Sequence, residues 1–108
     1  MNYYKESISV LSDVLGVDLS EKTRKRLSAW MRFACYKYFR DNGVRIQSIA
    51  DMFNVDHSNV VYGIKQMKEK LRHGDETAKG CEDAIGAHPA AFAYVLGQIP
   101  GSKKIVQI

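Results

Sequence analysis

The chain has two cysteines, Cys35 and Cys81, and two prolines in 108 residues. Two thiols cannot build the disulfide framework of a small secreted domain, and neither has a second Cys or a His beside it at metal-ligand spacing. Both are expected to be buried or idle thiols, in keeping with a reducing compartment. No apolar run reaches the ~18 residues that a membrane span requires. The first residues, Met-Asn-Tyr-Tyr-Lys-Glu, offer no apolar stretch of a secretory signal. A cytoplasmic protein without a membrane partner is therefore expected. His57, His73 and His88 fall at no spacing that joins them to acids or cysteines as a metal site. No Ser/His/Asp arrangement can be argued, so the expectation is a protein that is not an enzyme and needs no cofactor. A Gly-x-x-x-x-Gly-Lys-Ser/Thr phosphate loop is also missing, which excludes a P-loop nucleotidase.

What is present is a globular composition, 45% hydrophobic and 26% charged, in a length suited to one domain with a tail. The net charge is +4, and it is unevenly placed. Residues 1–74 hold 13 Lys/Arg against 8 Asp/Glu, a net +5, whereas residues 75–108 hold 3 against 4. A basic first two-thirds suits a polyanionic partner.

Periodicity in that basic part is helical. Ile8, Leu11, Val14 and Leu15 form one face before Gly16, which predicts a helix over 5–15. Asp18 or Ser20 can cap the next helix, expected over 21–42. Its inward stripe is Leu27, Trp30, Met31, Ala34, Cys35, Tyr38 and Phe39, and Asn42-Gly43 ends it. Ile49, Ala50 and Phe53 mark a short helix over 47–53. After Asn54-Val55-Asp56, a helix over 57–73 carries Val60, Ile64, Met67 and Leu71 inward, and Gly74 closes it. Leu27, Trp30, Met31, Ala34, Phe39, Ile49, Phe53, Val60, Ile64 and Met67 are expected to share one core. Residues 75–80 look like a linker. A further helix is expected from Pro89 to about Gln98, and residues 103–108 have an extended pattern. Tyr3 and Tyr4 are either a disordered start or a packing anchor.

A short helix, a tight turn and a longer helix with polar residues at its start make a helix-turn-helix pattern. In such motifs the first turn of the second helix meets base edges in the major groove. Here that turn is Asp56, His57, Ser58 and Asn59. Asn can pair bidentately with adenine, Asp can accept from cytosine N4, and His and Ser can donate or accept. The plainer reading is that Asp56 and Ser58 cap the helix. Lys65, Lys68, Lys70 and Arg72 are a solvated face or a second strip of phosphate contacts.

Residues 49–67, Ile-Ala-Asp-Met-Phe-Asn-Val-Asp-His-Ser-Asn-Val-Val-Tyr-Gly-Ile-Lys-Gln-Met, resemble the signature of the C-terminal DNA-binding domain (domain IV) of the bacterial replication initiator DnaA. That domain belongs to the Trp-repressor-like helix-turn-helix superfamily. The Asp-His-Ser-x-Val core at 56–60 is the most specific part. Val17-Asp18-Leu19 followed by Lys22, Arg24, Lys25 and Arg26 is similar to the family's basic loop, and Arg32-Phe-Ala-x-Tyr to the start of its long helix. The likeness spans about residues 8–72. It implies that Asp56 and His57 read bases, that Ser58 meets a thymine methyl or a phosphate, and that Asn59 stands where a second Ser/Thr is usual. It places Arg24 in the minor groove and Lys22, Lys25, Arg26 and Arg32 on the DNA backbone, with Lys65 added from the second helix's basic face. Val55 stands where the family has Arg before Asp-His, Ala50 replaces a Gly, Gly63 replaces an Ala, and the turn is one residue shorter. The expected DNA site is therefore not the initiator's own.

The expectation is thus an all-α protein. Residues 1–74 would form a helix-turn-helix domain that binds double-stranded DNA with some sequence preference. Its role would lie in transcriptional regulation or replication, in a bacterial or phage setting. Residues 75–108 would form a linker and tail. The alternative is a protein-interaction module that kept the fold and lost the DNA site, with residues 85–108 as its binding or dimerising segment.

Overall fold

Apolar side chains three and four residues apart fold into helices in the computed structural model, which describes residues 4–20 and 26–99. Six helices follow in order among the described residues: α1 (Lys5–Leu15), α2 (Arg26–Asp41), α3 (Ile46–Phe53), α4 (His57–Arg72), α5 (Glu76–Gly86) and α6 (Pro89–Gly97). No strand occurs among them. The protein is an all-α bundle, as its periodicity predicts. The bounds of α1, α3 and α4 agree with the pattern to within one residue. The expected start of α2 at residue 21, the extended pattern at 103–108 and any role of Tyr3 lie outside the described residues.

The first four helices stop where the backbone can turn left-handed. Gly16, Gly43 and Gly74 have positive φ, at the three positions read as stops. The turn between α3 and α4 has no glycine, and Asn54 supplies the left-handed residue at φ 55° and ψ 50°. Asn is among the few side chains that tolerate this conformation. Its N–H returns to the Ala50 and Asp51 carbonyls, and the Val55 N–H closes on Ala50 at 3.0 Å. A three-residue connection then suffices to reverse the chain.

α2 is the central element, covered by α4 on one side, by α5 on another, and touched by α3, while α1 packs on α3 and α6. One core runs through all six helices. Met31, Ala34, Phe39, Ile49, Phe53, Val60, Ile64 and Met67 are buried in it, as expected. Two expected members are not. Leu27 is 53% exposed because it sits one turn ahead of Met31, the first residue of the stripe to be enclosed. Trp30 is only half-buried and stacks edge-on against Phe33 at 5.5 Å. Tyr4 is buried and anchors the start of α1, where its carbonyl accepts from the Ile8 N–H. The loop after α1 is pinned by Ser12, whose Oγ accepts from the N–H of the buried Leu19 at 3.0 Å. Asp18 and Ser20 bond to each other, Ser20 Oγ donating to Asp18 Oδ1 at 2.6 Å.

The largest departure from expectation is at residues 75–80. They are not a linker but the N-cap and first turns of α5. Asp75 Oδ2 accepts from the Ala78 N–H at 2.9 Å, which satisfies an orphan donor of the first turn. Ala78, Cys81 and Ile85 then bury a stripe against α2. α6 adds Phe92, Val95 and Leu96, and Phe92 meets Tyr38 and Phe39 at centroid distances of 4.9 Å and 5.8 Å. Both cysteines are buried free thiols, on α2 and α5, and burial pushes both above the ordinary thiol range, Cys35 well above it. No helix among the described residues is long and apolar enough to cross a membrane.

α2 and α4 approach closely because Gly63 has no side chain. A Cβ there would lie 2.6 Å from Phe33 Cδ1 and 2.8 Å from Tyr36 Cδ2, both ring atoms with packed neighbours. Gly80 of α5, by contrast, has nothing within 4 Å of the same position. Two substitutions with equal helix propensity should therefore move stability in opposite directions. Gly80→Ala should stabilise by about 0.5–1 kcal/mol through helix propensity alone. Gly63→Ala gains the same propensity but incurs an overpacking cost of about 1–3 kcal/mol, so a net loss is expected. Urea unfolding of both variants measures this, and equal gains at the two sites would mean that the rings do not press on α4. Phe53→Ala, which empties a buried site facing the Tyr36 ring at 5.0 Å, should cost about 3–5 kcal/mol in the same assay.

Candidate functional site

The first turn of α4 stands out of the bundle. Asp56, His57, Ser58 and Asn59 are all exposed, whereas Val60, the next residue, is fully buried. Helical geometry accounts for the contrast. Val60, Gly63, Ile64 and Met67 lie three and four apart and fasten one side of α4 to the core, so Ser58 and Lys65 fall on the opposite side. Asp56 has the extended backbone of an N-cap, and its carbonyl accepts from the Asn59 and Val60 N–H groups. Its carboxylate makes no cap bond to that turn. Capping, the plainer account of Asp56, is thus carried by its backbone alone.

Asn59 is held from behind. Tyr36 is fully buried on α2, and its hydroxyl donates to Asn59 Oδ1 at 3.2 Å. The Arg32 guanidinium, one turn earlier on α2, lies near the same hydroxyl. Burial raises the Tyr36 hydroxyl above the ordinary phenol range, and the nearby Arg32 charge opposes that rise. A neutral hydroxyl between a cation and an amide can satisfy both, since it accepts from one and donates to the other. The bond fixes the Asn59 carboxamide and leaves Nδ2 on its opposite edge. Arg32 and Asn59, expected to act separately on backbone and base, are therefore joined through Tyr36. Tyr36 is a residue that the helical stripe of α2 passed over in favour of Tyr38.

The other expected contacts divide in two. Lys65 is exposed on α4, two turns beyond Ser58. Lys22, Arg24 and Lys25 lie outside the described residues, as does the side chain of Arg26, whose backbone opens α2. α4 carries Lys65, Lys68, Lys70 and Arg72 against a single acid, Glu69. That acid is covered by its own helix, since Arg72 and His73 both reach its carboxylate. The hydrogen bonds from His73 and Arg72 hold Glu69 below the usual carboxylate range. The exposed side of α4 is therefore cationic. Among the described residues no group of three His, Cys, Asp or Glu is placed to hold a metal ion.

The Tyr36–Asn59 bond can be tested without reference to any ligand. Tyr36→Phe keeps the ring and removes the hydroxyl, and it should cost about 0.5–1.5 kcal/mol. Asn59→Ala removes the other partner. Because both changes delete one shared bond, the double variant should lose less than the sum of the two single losses, by about 0.5 kcal/mol or more. Additive losses on urea unfolding would show that the bond contributes nothing.

Compared with family models, curated proteins and solved structures, the chain matches none.

Proposed function

We propose that the chain binds double-stranded DNA, with α4 in the major groove and the basic residues 22–26 on the sugar–phosphate backbone and in the minor groove. The observation that carries this reading is the exposed polar turn 56–59 on a helix whose next residue is locked in the core. A recognition element needs polar groups at fixed positions on a rigid support, because base contacts fail when side chains are misplaced. Asp56, His57, Ser58 and Asn59 supply donors and acceptors there, and Tyr36 already orients one of them. The sixteen residues of α4 make a rod of about 24 Å that fits the ~12 Å wide major groove.

The cationic side of α4 gives the same partner a second attraction. Lys65 and Lys68 are exposed behind the polar turn and can neutralise phosphates flanking it. The likeness to DnaA domain IV assigns the remaining contacts: Arg24 to the minor groove, Lys22, Lys25, Arg26 and Arg32 to phosphates. The biological role that fits is a DNA-binding module of transcriptional regulation or replication. The interaction-module alternative loses one support, since Phe92, Val95, Leu96 and Ile99, the apolar residues that a docking tail would offer, are buried in the chain's own core.

The test begins with selection of a preferred duplex from a random pool. Affinities for that duplex and for a scrambled one are then measured at fixed salt. His57→Ala should narrow the preference by about 1–3 kcal/mol with little effect on the scrambled duplex. Lys25→Ala and Lys65→Ala should weaken both duplexes alike, and each should shallow the slope of log K against log salt by about 0.9. If His57→Ala and Asn59→Ala leave the ratio of the two affinities unchanged, α4 does not read bases.

A further inference from the structure

Only four large hydrophobic side chains are strongly exposed among the described residues: Leu27, Val61, Tyr62 and Tyr94. Two of them, Val61 at 42% and Tyr62 at 56%, are consecutive on α4. They follow Ser58 by three and four residues and precede Lys65 by four and three, so all four side chains lie on one side of the helix. That side is opposite the buried Val60, Gly63, Ile64 and Met67. Tyr62 is also braced. Its ring stands edge-on to Phe33 at 6.0 Å, Phe33 stands edge-on to Trp30 at 5.5 Å, and Phe33 can lie this close to α4 only because Gly63 has no Cβ. The contact with Phe33 restricts the rotamers of this exposed tyrosine before any partner arrives, which lowers the entropic cost of contact.

The inference rests on the DNA-binding reading above and deepens it by naming what is read. We propose that Val61 and Tyr62 recognise thymine, through contact with its C5-methyl group. The base edges of the major groove carry donors, acceptors and one apolar group, the thymine methyl. An apolar pair on the groove-facing side of α4 has no other apolar partner there. Charge favours the same occupant. The pair is followed by exposed Lys65 and Lys68, and the one acid of α4, Glu69, is already engaged by Arg72 and His73. An apolar protein surface would gain nothing from those lysines, whereas a duplex meets them with phosphates on either side of the bases. Ser58 would sit N-terminal to this patch and make the polar contact, and Val61 and Tyr62 would cover the methyl groups of the next step.

Replacement of thymidine by deoxyuridine tests this directly, because it deletes the methyl and keeps base pairing. The probe is the duplex selected by the wild-type chain, with each thymidine replaced singly. At one or two positions deoxyuridine should weaken binding roughly three- to five-fold, the value of one buried methyl. The loss should vanish at those positions in Val61→Ala or Tyr62→Ala, each confirmed as folded by its helical circular dichroism, whereas Tyr62→Phe, which keeps the apolar ring, should retain it. Val61→Ala removes the contact at an exposed helical site that tolerates alanine, and Tyr62→Phe separates the ring from the hydroxyl. If Tyr62→Ala keeps the deoxyuridine effect and Val61→Ala loses it, Val61 carries the contact and the proposal stands for that residue. A wild-type chain that selects a duplex yet is indifferent to deoxyuridine at every position would overturn this inference and leave DNA binding intact. A chain that selects no duplex would overturn both.

Discussion

The absent side chain at Gly63 sets the distance between α2 and α4, and most of the candidate site depends on that distance. With no Cβ in the way, the Phe33 and Tyr36 rings lie directly against α4. Tyr36 then reaches Asn59, and Phe33 supports Tyr62. One small residue thus fixes a polar and an apolar side chain on the exposed half of the same helix. An alanine at this position would bring the two rings into conflict with its methyl, and both contacts would have to yield. Packed interiors do not deform gradually, so a shift of this kind is transmitted rather than absorbed.

The site has a second dependence, on the turn before it. Asn54 takes the left-handed conformation that a glycine usually supplies, and it lets three residues connect α3 to α4. The Val55 N–H then closes on Ala50, while Val60 and Ile64 settle beside Ile49 and Phe53 in one core. Asp56 through Asn59 are left at the surface by this geometry and not by their polarity alone. Cationic residues further along α4 give the exposed half its sign. The internal pairing of Glu69 with Arg72 and His73 offsets the one acid that lies within α4 itself.

Much of the fold was legible in the sequence because α1, α3 and α4 each bury a single stripe. Ile8 and Leu11, Ile49 and Phe53, and Val60, Ile64 and Met67 all sit inside as their spacing requires. α2 was only partly legible. It is enclosed from more than one side, so its buried arc is broader than a stripe and takes in Tyr36, while Leu27 at its open end is left out. α5 was not legible. Its inward residues Ala78 and Cys81 are too small to stand out against a charged stretch, and the cap that starts it, Asp75 to Ala78, is a local bond with no apolar signal. Of the site, the polar turn 56–59 was legible from its residue types. Its bond from Asn59 to Tyr36 was not, because that bond spans 23 residues and depends on how closely two helices pack. The apolar pair Val61–Tyr62 drew no attention in the sequence, since neither residue is conspicuous until the opposite side of α4 is known to be filled.

The central claim is that the exposed half of α4 is the surface that meets DNA. The most direct measurement is a titration of the isotopically labelled chain with duplex DNA, followed by amide chemical shifts. The account predicts that the largest changes fall on residues 56–65 and on Arg32 and its neighbours at the start of α2. It also predicts that the changes shrink as salt is raised and that α6 stays unmoved. Changes centred on α5 and α6, or no changes at any duplex concentration in low salt, would contradict it.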